Sequence, residues 1–222
     1  MKIPYITSQW RELFRPKETG NYINDHCVIK DNQGKYHLFG ITSFLGGAPN
    51  ERYFAHGVGD SLNDAFEERG KAIDRGTLAW APCVIPKDDD FYMFYGPSPT
   101  SLAVSFDMFE WYNYPVKLNG EIPMAAHRDH FVLKLADNKY IMYIVGTKNK
   151  KSCVSLFESS NLLEWDFCGY ALTSGDDAPL NPPWGAMESP FVVKMDELYY
   201  LFITYTDCSR ENYHNTLVFV SD

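Results

Sequence analysis

The chain has 222 residues and a net charge of -9, with 45% apolar, 22% charged and 16% aromatic residues. That length can bury a sizeable core, and the acidic balance excludes a nucleic-acid partner gripped through its phosphates. No apolar run approaches the ~20 residues needed to span a bilayer, so no membrane partner is expected.

The first twenty residues lack the apolar core of a signal peptide, and the expected location is cytoplasmic. Cys27, Cys83, Cys153, Cys168 and Cys208 are scattered without a C-x-x-C pair, so neither a disulfide framework nor a zinc site is expected. The histidines are equally dispersed. No metal ligand set and no cofactor is expected; an ion such as calcium in a central channel is not indicated.

Helical periodicity is confined to Gln9–Phe14 and Ser61–Lys71. The rest of the chain reads as strands. A first unit opens at Asp25 with a short apolar strand, turns at Asp31-Asn32-Gln33-Gly34 and continues through an aromatic strand from Tyr36. Gly46, Gly47 and Asn50 form a loop after it, and His56 falls in a third strand as scaffold. A second unit repeats the pattern from Ala81 through the turn Lys87–Asp90 to Tyr92, a third from Asp129 through Asp137-Asn138 to Tyr140, and a fourth from Glu188 through Asp196-Glu197 to Tyr199. In each unit the tyrosine lies eleven residues after the opening residue. Polar turns between alternating strands mark hairpins.

A second echo follows the hairpins. Ser105-Phe106-Asp107-Met108-Phe109-Glu110-Trp111 matches Ser159-Ser160-Asn161-Leu162-Leu163-Glu164-Trp165, and Trp111 and Trp165 read as structural. Four-stranded units repeating at roughly 40–50 residues indicate an all-β β-propeller. The expected blades are 20–75, 76–120, 121–180 and 181–222 within a single domain spanning 1–222, the last blade lacking its outer strand.

The opening residue of each inner strand faces the mouth of the central channel. This puts Asp25, Asp129 and Glu188 together, with Ala81 at the same place in the second blade. Carboxylates gathered in a pocket raise one another's pKa, and such an arrangement points to chemistry. Glycoside cleavage uses that set: one carboxyl protonates the leaving oxygen while another, ionised, attacks the anomeric carbon or activates water. The longer Glu suits the proton donor. Trp80 and Trp184, the latter in the loop Pro182-Pro183-Trp184-Gly185, are candidates to stack on a sugar face; for Trp80 the alternative is core packing against Tyr92.

Asn24-Asp25, Arg128-Asp129 and Glu188 resemble the three acidic motifs of the five-bladed furanosidase propellers, glycoside hydrolase families 32, 68 and 43. Trp80-Ala81-Pro82-Cys83-Val84 is similar to the W-A-P-D-V of family 43, and the Ser105–Trp111 pattern is common in these families. The resemblance covers about residues 20–222. It implies a fold of the five-bladed glycosidase type and an oligosaccharide or small glycoside substrate built of arabinosyl, xylosyl or fructosyl units. It casts Asp25 as nucleophile or general base, Asp129 as transition-state stabiliser or pKa modulator, Glu188 as general acid and Arg128 as a sugar-hydroxyl ligand. The proline of both D-P motifs is replaced, by His26 and His130, which are candidate sugar contacts or, on the alternative reading, solvent-facing side chains.

Four inner strands are legible and a fifth blade is not. An open propeller exposes strand edges, and three explanations compete: a truncated chain, a homo-oligomer covering the gap, or a compact variant with its own closure. The competing functional readings are a non-catalytic carbohydrate-binding or truncated inactive propeller, and a protein-interaction propeller.

Overall fold

The computed structural model describes residues 9–122, 125–174, 187–206 and 214–222. Its sixteen strands form four sheets, each built around an antiparallel meander. The first sheet is β1 (Asn24–Lys30), β2 (Tyr36–Ile41), β3 (Tyr53–Gly59) and β4 (Glu67–Asp74). The second is β5 (Trp80–Lys87), β6 (Asp90–Gly96), β7 (Ser101–Ser105) and β8 (Tyr112–Tyr114). The third runs β10 (Ala125–Ala136), β11 (Lys139–Lys148), β12 (Lys151–Ser159) and β13 (Glu164–Thr173), with β9 (Lys117–Asn119) pairing parallel to β13 at its edge. The fourth is β14 (Met187–Met195), β15 (Leu198–Thr206) and β16 (His214–Ser221).

Inner strand β1 packs beside β5, β5 beside β10 and β10 beside β14, as propeller blades do around an axis. No comparable packing joins β14 to β1 among the described residues. Alternation along each strand sends one set of side chains into the seam with the neighbouring blade. Phe39, Ile41 and Phe54 of the first blade thus meet Val84, Met93 and Tyr95 of the second. Phe94 and Leu102 of the second meet Met142, Phe157 and Trp165 of the third. The seam between the third and fourth blades is smaller, built on Val145, Val154, Met187 and Ile203.

The two Ser-to-Trp echoes fold identically. Ser105 Oγ accepts from the N–H of Met108 (2.8 Å), Asp107 Oδ1 from those of Phe109 (2.8 Å) and Glu110 (2.9 Å), and Trp111 Nε1–H donates to the Met108 carbonyl (3.1 Å). In the third blade Ser159, Asn161, Leu162 and Trp165 make the same four bonds. The side-chain oxygen two residues after the Ser is therefore the feature the turn needs, whether Asp or Asn carries it. Asp107→Ala is expected to cost about 1 kcal/mol in a urea melt, whereas Asp107→Asn, copying Asn161, should be nearly neutral.

Neither expected helix forms. Residues 61–64 make a turn, and Glu67 already begins β4. Gly70 takes a left-handed φ of 86°, which interrupts any helix there. The charged pattern Glu67-Glu68-Arg69-Gly70-Lys71 belongs to an edge strand, where charges discourage pairing with other chains. Residues 9–14 are also without helix. This segment runs over the first blade: the Leu13 carbonyl accepts the Phe66 N–H (2.8 Å), and Phe14 fills the space over Gly57, where a Cβ would come within 2.9 Å of its ring. Further on, the N–H groups of Lys17, Glu18 and Thr19 all donate to the Glu68 carboxylate. The chain's own N-terminal strap thus covers the outer face of blade one.

Candidate active site

Each inner strand kinks once at the channel mouth. Asp25, Ala81, Asp129 and Ser189 all have left-handed backbone, with φ of 26°, 48°, 55° and 52°. The ladder to the second strand slips at each of these points: between Asn24 and His26, Trp80 and Cys83, Arg128 and Phe131, and Glu188 and Phe191. Non-glycine residues rarely adopt that conformation, and four equivalent occurrences make it a β-bulge built into the repeat.

The kinks correct the expected register. Asp25, Ala81 and Asp129 are equivalent, but the fourth member is Ser189, and Glu188 stands one residue earlier with Asn24, Trp80 and Arg128. The hairpin explains the slip. Tyr36 pairs with Lys30 and Tyr140 with Lys134, each five residues past its acid. Tyr199 pairs with Lys194, five residues past Ser189. The fourth hairpin has one residue fewer between its paired Lys and Tyr, so a count of eleven back from Tyr199 lands one residue before the kink, on Glu188.

The mouth therefore has two tiers, and each is tied across the third and fourth blades. In the outer tier Arg128 Nη2–H donates to Glu188 Oε1 at 2.8 Å. In the inner tier the Ser189 N–H donates to Asp129 Oδ2 at 3.0 Å. Arg128 Nε also lies 3.6 Å from Asp129 Oδ2, so one guanidinium serves two carboxylates. Its side chain is only 7% exposed, and that of Glu188 is 33% exposed. Buried carboxylates need such partners. Asp129 Oδ1 is nonetheless buried without a hydrogen-bond partner, which leaves one strong acceptor available at the site.

Asp25, from the first blade, feels the same charges. Its carboxyl is pushed up to about 7, first by burial and then by the negative charges of Asp129 and Glu188, against the pull of Arg128. Asp129 is also raised by burial, opposed by Arg128 and by the Ser189 N–H. Three carboxyls from three blades thus lie within electrostatic reach of one another, and burial with this mutual repulsion keeps Asp25 partly protonated near neutrality.

Below the mouth lies a cavity of about 700 Å³, lined by all four inner strands. Asp25, His26, Asp129 and His130 line it, while Arg128, Trp80 and Glu188 do not. The two histidines differ. His26 is exposed. His130 is buried, its Nε2 lies 2.8 Å from Thr100 Oγ1, and burial with the neighbouring His127 pushes it down to about 3. His130 therefore faces protein rather than solvent and is neutral at ordinary pH. Trp80 is half-buried against the core between the first two blades, whereas Tyr92 packs in the next seam. The Trp80 Nε1–H is buried without a partner. Trp184 lies outside the described residues.

Ser189 and Thr100 carry no signal in the order of motifs. Ser189 is found only by counting back from the hairpin, and Thr100 only by the fold. Among the described residues no three His, Cys, Asp or Glu side chains are placed to hold a metal ion.

Known structures share this architecture. The Bombyx mori GH32 beta-fructofuranosidase BmSUC1 superposes with a TM-score of 0.74 at 19% identity, covering 92% of this chain and 47% of that one. Sucrose-6-phosphate hydrolase from Lactobacillus gasseri gives 0.66 at 17% identity over 83% of this chain and 40% of that one. An alpha-L-arabinanase from Cellvibrio cellulosa gives 0.63 at 15% identity over 86% and 71%. The chain spans about half the length of the beta-fructofuranosidase. No curated protein matches it. At these identities the likeness shows the β-propeller fold of glycoside hydrolases. The sequence itself matches the family model described as "Glycosyl hydrolases family 32 N-terminal domain" over residues 14–221, nearly its whole length, and the chain belongs to that family.

Proposed function

We propose that this chain forms a glycosidase site, cleaving the glycosidic bond of a fructosyl, arabinosyl or xylosyl unit with Asp25, Asp129 and Glu188. The carrying observation is the convergence of three carboxyls from three blades at one channel mouth. Asp25 is raised to about 7 by burial and by its two acidic neighbours, while Arg128 bridges Asp129 and Glu188. Glycoside cleavage at neutral pH needs one carboxyl to hold a proton and a second to be ionised.

In the reactive form Asp25 is ionised, the state it reaches above about pH 7. Glu188, the more exposed of the two sides of the Arg128 bridge, gives its proton to the leaving oxygen. Asp25 attacks the anomeric carbon or takes a proton from attacking water. Asp129 keeps its buried, unpartnered Oδ1 for a sugar hydroxyl. Arg128 holds the second acid in place and offsets charge as it moves. The neighbours' printed names, a beta-fructofuranosidase and an alpha-L-arabinanase among them, support the sugar class, as does the family model.

The test is hydrolysis of a panel of sucrose, chromogenic arabinofuranosides and xylosides by the wild-type chain, with product sugars separated by chromatography. Turnover of at least one member is expected. Sugar binding by calorimetry with no turnover of any substrate would replace the hydrolytic proposal with a binding one.

A further inference from the structure

In the first three blades, residues beside the turn between the second and third strands reach the head of the next inner strand. The Ala79 N–H donates to the Glu51 carbonyl at 3.0 Å, the Ser98 N–H to the His127 carbonyl at 3.0 Å, and the Met187 N–H to Ser152 Oγ at 3.1 Å. Ala79, His127 and Met187 each stand two residues before a kink, at Ala81, Asp129 and Ser189. At β10 the tie becomes a clamp. The ladder from β10 to β11 pairs Ala125, Arg128 and Phe131 but skips His127, Asp129 and His130. Alternate residues of the loop 96–100 hold that stretch instead. Gly96 lies against Arg128, where a Cβ would come within 3.2 Å of its Cα and 3.3 Å of its Cβ. Ser98 holds the His127 carbonyl, and Thr100 Oγ1 shares a hydrogen bond of 2.8 Å with His130 Nε2. His130 Nδ1 is buried without a partner, so the Thr100 hydroxyl is what orients the ring.

We propose that Thr100, with Gly96 beside it, is a positioning residue: it fixes the kinked head of β10 so that the Arg128 guanidinium and the Asp129 carboxylate keep their places at the mouth. The pair is bracketed, by the Ser98 bond one residue before it and by the Thr100 bond one residue after it. The ties at Ala79 and Met187 stop short of their kinks, whereas at β10, where the kink carries a carboxylate and its guanidinium, a loop side chain reaches past it. Arg128 spans two carboxylates, at 2.8 Å to Glu188 and 3.6 Å to Asp129, so a small displacement of its Cα is carried to both. Groups that act on a reacting centre tolerate little such movement, and the side chains behind them set how much occurs. The effect of Thr100 on rate rests on the glycosidase reading of Asp129; its effect on Arg128 rests on the geometry of β10 alone.

Thr100→Val keeps the branched shape and removes the hydroxyl, and Thr100→Ser keeps the hydroxyl. Assayed below the melting transition of each variant, Thr100→Val should lower kcat by about 10–100-fold with KM little changed, the pattern of a misplaced transition-state contact. Thr100→Ser should retain most of the wild-type rate. Gly96→Ala loses no hydrogen bond but presses on the Arg128 backbone, and it should reproduce the loss. A second readout needs no turnover. The Arg128 Nε–H signal in a proton–nitrogen correlation spectrum, assigned by its disappearance in Arg128→Lys, should move in Thr100→Val and Gly96→Ala and stay in place in Thr100→Ser. A signal that stays in place in both of the first two variants overturns the proposal. So does a Thr100→Val chain that melts earlier but keeps wild-type kcat, or one whose KM rises at wild-type kcat. A wild-type chain that turns over no sugar removes the glycosidase reading instead, and the Arg128 signal then decides whether the clamp positions that side chain.

Discussion

Glu188→Gln is expected to lower kcat on an unactivated disaccharide by about 10²–10⁴-fold, the range typical of losing a general acid. Glutamine keeps the carbonyl oxygen that accepts from Arg128 at 2.8 Å, so the bridge and the fold should survive and the melting temperature should hardly move. The loss should shrink on a substrate whose leaving group is a nitrophenolate, which departs without being protonated. That dependence on the leaving group separates a proton donor from a residue that merely shapes the site. Equal loss on both substrates, or intact activity, would remove Glu188 from the acid's role.

The second large effect is on Asp25, and it has two readouts. Asp25→Asn should reduce turnover below detection, because the amide neither attacks nor accepts a proton. For the wild-type chain, kcat/KM should fall on the acid side as pH drops through about 7, where Asp25 takes up its proton. Stability moves the other way. The folded carboxyl binds a proton more tightly than the unfolded one, whose pKa is in the ordinary range. Asp25's contribution to wild-type stability is therefore present in full below about pH 4 and is lost as pH rises through about 7. The substituted amide carries no charge at any pH, so the variant should gain about 1–3 kcal/mol over wild type above pH 7 and little at pH 4. A variant less stable than wild type at pH 8 would mean that the Asp25 carboxylate stabilises the fold, contrary to the charge balance described.

Much of this architecture is legible in the sequence, and its limits have physical causes. The hairpins could be read because polar turns such as Asp137-Asn138 separate apolar from aromatic strands, and that contrast follows from burial. The Ser-to-Trp turns could be read because their hydrogen bonds demand particular side chains at fixed offsets. The grouping of Asp25, Asp129, Arg128 and Glu188 at one mouth also follows from the repeat. The tier on which Glu188 stands does not. The fourth hairpin has one residue fewer between Lys194 and Tyr199, so the same count of eleven lands on Glu188 rather than on the kink at Ser189, and only backbone φ and strand pairing reveal the slip. The helical periodicity at β4 has a different origin. Charges that protect an edge strand from other chains recur at spacings a solvated helix face also uses. The histidines show the third limit. His26 and His130 occupy matching places in their repeats, yet one is exposed and the other buried against Thr100, because blade two supplies that threonine from a loop with no counterpart in the pattern.

The left-handed kink at the head of each inner strand carries a consequence for how such sites arise. It occurs at Asp25, Ala81, Asp129 and Ser189 alike, so the aim is fixed by the main chain and does not depend on what the side chain can do. Four sockets point at one axis, two hold carboxylates, one holds a hydroxyl whose amide braces a neighbour, and Ala81 leaves the fourth vacant. A duplicated blade inherits the direction without the chemistry. Point substitution can then recruit or retire a group at any socket, one blade at a time, with no strand rebuilt.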